Sequence, residues 1–188
     1  MKKIGITGSL ASGKTTASKI LSSRKGPLFS ADSVVRKLYS NNNFKNLIKK
    51  KFKIEKKQNI KSTLRKIIIS HKNEINKLEK IIHPQVRKEM RKFISQNRKK
   101  KFIFLEIPLL IESKLNRNFD VIFFIKTKKS LRLKRFLKKG GNKRFFQILN
   151  SKQLDEKRKI KLCDEVILNE KNIKTLKKSL LYAIKKYE

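Results

Sequence analysis

Residues 8–15 read Gly8-Ser9-Leu10-Ala11-Ser12-Gly13-Lys14-Thr15, the pattern G-x-x-x-x-G-K-[ST]. A short run from Lys2 to Thr7, carrying Ile4 and Ile6, precedes it and reads as a buried strand. A helix start, Thr16 to Leu21, follows. Strand, glycine-flanked loop and helix N-terminus are the setting in which this octapeptide is a phosphate-binding loop rather than a chance pair of glycines. Such a loop predicts an α/β fold built on a parallel sheet. The backbone N–H groups of Ala11, Ser12, Gly13, Lys14, Thr15 and Thr16, aided by the helix dipole, face a polyphosphate. Lys14 is placed to reach the β/γ-phosphates, and the Thr15 hydroxyl to hold Mg²⁺.

A chain of 188 residues makes one domain, or one with an insertion, and can bury an adequate core. No apolar run reaches membrane-spanning length and no signal peptide precedes the first strand. One cysteine, Cys163, excludes an internal disulfide framework. With only His71 and His83 beside it, metal ligation by nitrogen and sulfur is disfavoured, and a reducing cytoplasm is expected.

The net charge of +38 has two readings. One is nucleic-acid binding, since a basic surface collects phosphates. The other is compositional drift, because lysine is spread along the chain with abundant Ile and Asn, all with AT-rich codons. A dedicated arm would be a localised block; Lys49-Lys50-Lys51 and Arg98-Lys99-Lys100-Lys101 are short runs. Drift is favoured, with non-specific, salt-sensitive binding to polyanions expected in vitro.

Pro27 to Ser30 reads as a second strand leading to Asp32. Ligands of open parallel sheets gather at the carboxyl ends of strands. Asp32 either sits beside the loop or caps the helix expected from Ser33 to Tyr39, with Asp32 or Ser33 as N-cap. From about Asn41 to Lys101 strand-like runs vanish. Phe44–Phe52, Ser62–Ser70, Asn73–Ile82 and Pro84–Arg98 read as amphipathic helices, with a polar loop from Lys53 to Lys61. His83-Pro84 is expected to break two of them, Pro84 standing in a first turn. Arg87 either reaches a phosphate or is solvated.

Phe102 to Ile107 is an apolar strand that carries Glu106. A carboxylate there is costly without a partner, and phosphoryl transfer needs an acid at such a strand end to orient Mg²⁺. Val121–Ile125 is the next strand. Ser130 is expected to cap a basic helix to Lys139 bearing Arg132 and Arg135; Gly140-Gly141 forms a hinge, and Lys143–Leu149 a second basic helix with Arg144. The pair reads as a lid whose arginines neutralise a transferring phosphoryl group, or as a solvated hairpin. Asp155–Leu162 is a helix, Glu165–Leu168 a final strand, and Ile173–Tyr187 a closing helix capped by Asn172.

Taken in order, these residues resemble the dephospho-coenzyme A kinase family from Lys2 to about Asn169. The resemblance rests on Ile6-Thr7-Gly8 with its loop, Ala31-Asp32, Ile82-His83-Pro84 with Arg87, Glu106-Ile107-Pro108-Leu109-Leu110-Ile111-Glu112, and Gln153 with Lys159, Asp164, Val166, Ile167 and Asn169. It implies a P-loop core at 1–32 and 102–188, a lid at about 130–150, and a helical acceptor lobe at 33–101. The implied reaction is transfer of the γ-phosphoryl group of ATP to the ribose 3′-hydroxyl of dephospho-coenzyme A. Asp32 matches the family's catalytic aspartate. Thr7, His83, Arg87, Leu109 and Glu112 match positions lining the acceptor pocket. Arg135 and Lys139 match basic lid positions facing ATP, and Asn169 the turn near adenine.

The chain departs from the family at Ser9 and Ala11, where glycine is usual, at Ser30, at Lys139, where arginine is common, and after Asn169. Two alternatives stand beside this reading: another small P-loop kinase acting on a nucleoside monophosphate or small alcohol, and a basic P-loop ATPase that binds nucleic acid.

Overall fold

The computed structural model describes residues 1–23, 25–55 and 57–188. They form two compact units, Met1–Ser30 with Phe93–Glu188, and Ala31–Lys92.

The first unit holds strands β1 (Lys2–Gly8), β2 (Leu28–Ser30), β3 (Phe102–Glu106), β4 (Val121–Lys126) and β5 (Glu165–Leu168). Among the described residues these make one five-stranded sheet in the order β2-β3-β1-β4-β5, every pairing parallel. β1, β3 and β4 are apolar and almost wholly buried, as a parallel sheet covered on both faces requires. Alternation sends Ile4, Ile6, Phe102, Phe104, Val121, Phe123 and Ile125 to one core. Ala17 and Leu21 of α1 (Lys14–Ser22) and Leu176, Leu180, Ala183 and Ile184 of α9 (Ile173–Lys185) close over it. On the other face Gly5 leaves room for Leu110 and Phe119, since a Cβ there would lie 2.8 Å from Leu110. The strand register brings Ile6, Ser30 and Glu106 level at the carboxyl edge.

The second unit is helical: α2 (Ala31–Leu38), α3 (Asn42–Lys51), α4 (Ile60–Ser70) and most of α5 (Glu74–Gln96). Phe44, Ile48, Phe52, Ile54 and Leu64 form its core, with Leu78, Ile81 and Ile82 of α5 packed against them. Asn41 and Asn59 cap α3 and α4 by accepting from Phe44 N and Ser62 N, the reason Asn favours that position. Of the expected polar loop at Lys53–Lys61, Lys56 lies outside the described residues, and Ile60 already begins α4.

Three local expectations are corrected. Pro84 lies inside α5 and breaks nothing. It occupies the exposed face, where the carbonyl one turn earlier can turn to water. The apolar positions Ile75, Leu78, Ile82, Val86 and Met90 run through it at helical spacing. Asp32 and Ser33 are not caps, because α2 starts directly from β2 at Ala31; Asp32 is in the first turn, where its charge suits the helix's positive end. Ser130 is not a cap either. The helix α6 (Lys129–Lys138) begins earlier, with Lys128 as its N-cap and the Lys128 carbonyl accepting the Arg132 N–H at 3.0 Å; Glu170 accepts the Lys128 N–H at 3.1 Å. Two further helices, α7 (Lys143–Ser151) and α8 (Glu156–Ile160), follow, capped by Asn142 and Asp155.

Candidate active site

The glycine-flanked loop joins β1 to α1. Gly8 has φ +150, and a Cβ there would stand 2.5 Å from the Ile125 carbonyl of β4. Gly13, at φ +93, is the N-cap of α1 and offers no side-chain bond to the helix's first N–H groups. The dipole's positive end is therefore not covered by a capping side chain and suits an anion. Ser12 Oγ is buried, with no hydrogen-bond partner among the described residues. The Lys14 ammonium, itself buried, donates to Gly8 O at 3.1 Å and Ser9 O at 3.0 Å, arching over the loop.

At the foot of the loop Thr15 Oγ1 donates to Glu106 Oε1 at 2.6 Å, and Ser18 Oγ to Glu106 Oε2 at 3.3 Å. Glu106 is 1 % exposed and ends β3 between β1 and β2. The partner that a strand carboxylate demands is thus the Thr15 hydroxyl of the loop. A hydroxyl beside a carboxylate is a hard-oxygen donor set that suits Mg²⁺. Among the described residues no three His, Cys, Asp or Glu side chains cluster, so such an ion would draw its other ligands from water and phosphate.

The loop's far end is built around the Ser12 carbonyl. It accepts from Thr127 Oγ1 at 3.0 Å, Arg135 NH1 at 3.3 Å and Asn169 Nδ2 at 2.8 Å. Asn169 O in turn accepts from Arg135 NH2 at 3.0 Å and Thr127 Oγ1 at 3.2 Å. The structure therefore brings Arg135 and Asn169 to the loop together, while Lys139 is the exposed C-cap of α6. The corner between α6 and α7 is tight. Gly140 has φ +78, and a Cβ on Gly141 would lie 2.2 Å from the Phe136 ring, which packs edge-on to Phe146 at 5.5 Å.

Of the expected acceptor residues in this unit, Thr7 is fully buried and its hydroxyl donates to Pro108 O at 3.2 Å. Leu109 is half-buried. Glu112 Oε1 accepts from Lys159 Nζ at 3.0 Å and from Leu154 N at 3.2 Å, and its Oε2 is buried with no partner among the described residues. Lys159 is fully buried, lying over the Phe124 ring. Asp32, His83 and Arg87 belong to the helical unit: Asp32 exposed in the first turn of α2, His83 half-buried and Arg87 exposed one turn apart on α5.

Arg132, read from sequence as one lid arginine among several, is buried. It donates to Thr127 O, Leu10 O and Asn150 Oδ1. Burial lowers its guanidinium from the usual value, and nearby Glu156 opposes that shift. Gln153 and Glu156 were not expected at the loop, yet Gln153 Oε1 accepts from Leu10 N at 2.8 Å and Glu156 Oε2 from Ser9 Oγ at 3.0 Å. A glutamine between two helices and a glutamate opening the second read as ordinary polar connection, so although Gln153 belongs to the resemblance, nothing local ties either residue to the loop.

A family model described as dephospho-CoA kinase matches residues 2–175. A curated dephospho-CoA kinase of Bartonella henselae is 31 % identical over 190 residues, covering 98 % of this chain and 97 % of the relative. A solved dephospho-CoA kinase from Campylobacter jejuni superposes with a TM-score of 0.67 at 26 % identity, over 100 % of this chain and 98 % of that one. A protein of Thermus thermophilus superposes with a TM-score of 0.80 at 24 % identity, covering 99 % and 97 %, and shows the same fold.

Proposed function

The chain belongs to the dephospho-CoA kinase family, and we propose how its residues divide that reaction among them. The enzyme phosphorylates dephospho-CoA at the expense of ATP, a step of CoA biosynthesis. The ribose 3′-oxygen attacks the γ-phosphorus. The bond from that phosphorus to the bridging oxygen breaks, ADP departs, and the hydroxyl proton passes to the Asp32 carboxylate. Because the transition state is loose, the hydroxyl loses its proton late, and an ordinary aspartate suffices.

Such chemistry rests on positioning and charge rather than on covalent catalysis. The observation that carries this assignment is the loop itself: an uncapped helix N-terminus at Gly13, an unpartnered Ser12 Oγ, and Lys14 arched over both. The amides of residues 11–16 bind phosphate and Lys14 neutralises it. Thr15 and Glu106 are the residues that would hold Mg²⁺, and their existing contact fits that role. Bound there, the ion supplies positive charge to the phosphates. Arg135 serves the nucleotide as well, since a guanidinium has five donors and two are engaged with Ser12 O and Asn169 O. Asn169 and Lys139 complete the nucleotide side. Thr7, Asp32, His83, Arg87, Leu109 and Glu112 serve the acceptor. Asp32 follows two residues after the end of β2, and its exposed carboxylate supports the proton-acceptor role.

No helix among the described residues is long and apolar enough to cross a membrane. We assign the enzyme to the cytoplasm on its single thiol, and regard nucleic-acid binding as non-specific. The test is ADP release from ATP with dephospho-CoA, beside a panel of nucleoside monophosphates and DNA. Turnover with dephospho-CoA alone is expected. Turnover only with a monophosphate, or ATPase activity stimulated only by DNA, would overturn the assignment.

A further inference from the structure

The first half of the phosphate-binding loop is held from outside by three side chains distant in sequence. Ser9 Oγ donates to Glu156 Oε2 at 3.0 Å, Leu10 N to Gln153 Oε1 at 2.8 Å, and Arg132 NH1 to Leu10 O at 3.3 Å. Asn150 Oδ1, 2.8 Å from the same nitrogen, orients Arg132. Ser9 O is occupied from within by Ser12 N and the Lys14 ammonium. The polar groups of Ser9 and Leu10 named here are thus engaged before any nucleotide arrives.

These bonds sit beside a strained turn. Ala11 has φ +59, the left-handed region that a residue with a Cβ enters only at a cost. Glycine would adopt it freely. The Ser9 hydroxyl makes the bond to Glu156. The loop therefore has a strained crown at Ala11 and, two residues before it, a hydrogen bond from Ser9 to Glu156.

We propose that Glu156 and Gln153 are positioning residues that preorganise the phosphate-binding loop through Ser9 and Leu10 and so set its affinity for ATP. Neither touches the reacting atoms. Without the Glu156 bond the loop populates conformations that cannot cradle the triphosphate, and ATP binding must select against them. The carboxylate's own repulsion of phosphate is offset by the buried guanidinium of Arg132 beside it.

The inference rests on the reading of this loop as the ATP site, and direct binding to wild-type protein separates the two. If wild-type protein binds no ATP, that reading fails; if it binds and the variants bind equally, only the positioning role fails. Glu156→Ala should weaken ATP binding, and raise its KM, by about fivefold, the scale of one charge-assisted hydrogen bond discounted for partial exposure. Its kcat and its KM for dephospho-CoA should stay within about twofold of wild type, which a general loss of structure would not leave untouched. Glu156→Gln, whose amide oxygen still accepts from Ser9, should restore most of the affinity. Ser9→Ala should reproduce Glu156→Ala, and the double variant should be no worse than either alone. Ser9→Ala also carries the test if Glu156→Ala does not fold. Wild-type ATP affinity in Ser9→Ala, additive losses in the double variant, or a Glu156→Gln as weak as Glu156→Ala would overturn the proposal.

Discussion

Gly13→Ala isolates the geometry on which the nucleotide site depends. The position has φ +93, so any Cβ forces a left-handed conformation costing about 1–2 kcal/mol. The new methyl would also lie 2.2 Å from Asn169 Nδ2. That atom is held by its 2.8 Å bond to Ser12 O and has nowhere to move without breaking it. Ser12 O keeps donors from Thr127 and Arg135, so the carbonyl is not orphaned, but the displaced amide is. An unpaired buried amide costs about 1–3 kcal/mol. The two terms together give about 3 kcal/mol, within the stability of an ordinary domain, so the variant should still fold. Urea denaturation followed by circular dichroism, on wild type, Gly13→Ala, Asn169→Ala and the double variant, separates them. In the Asn169→Ala background the clash is gone, and Gly13→Ala should cost only its backbone part, about 1–2 kcal/mol. Losses that add to within about 0.5 kcal/mol would refute the reasoning, because they would mean the Asn169 amide does not occupy the space that Gly13 leaves.

Lys159→Met leaves Glu112 buried with only the Leu154 N–H, and should destabilise the protein by about 3 kcal/mol in the same assay; adding Glu112→Gln should recover at least half, and no recovery would remove the ion pair as the cause. Cys163 should resist alkylation, because burial, aided by Asp164, pushes its thiol from 9.0 up to about 12. Iodoacetamide should therefore react at pH 9 about 100-fold more slowly than with a free thiol, and the rate should still rise at pH 11. The folded-state value is raised, so this group's stabilising contribution is complete below the unfolded value near pH 9 and is lost as pH climbs toward 12. With +38 net charge, duplex DNA of any sequence should bind at low salt and be released, by about 100-fold or more in affinity, between about 50 and about 300 mM salt; binding that survives would indicate a dedicated surface.

What could be read along the chain was local in origin. The loop motif, the apolar strands with Glu106 at the end of one, and the cap Asn172 all follow from short-range spacing, and the fold places them so. Pro84 misled because its neighbours decide the outcome: an exposed proline inside a continuing apolar stripe stays within the helix without ending it. Ser130 misled for a different reason: the helix already starts at Lys129 with Lys128 as N-cap, whose carbonyl accepts the Arg132 N–H, so Ser130 lies inside the first turn. The contacts that organise the loop were hidden by distance along the chain. Ser9 and Glu156 are 147 residues apart, Leu10 and Gln153 143, and Glu112 and Lys159 47. Arg132 looked like one lysine-rich-helix arginine among several until the fold buried it.

The central claim is that Asp32 takes the proton from the acceptor hydroxyl while the loop holds ATP. The measurement that tests it most directly is the turnover number of Asp32→Asn with saturating ATP and dephospho-CoA, beside its equilibrium affinity for ATP. A fall in kcat of about 10²–10⁴-fold with ATP affinity within about twofold of wild type is the predicted result. Undiminished turnover in Asp32→Asn would contradict the account.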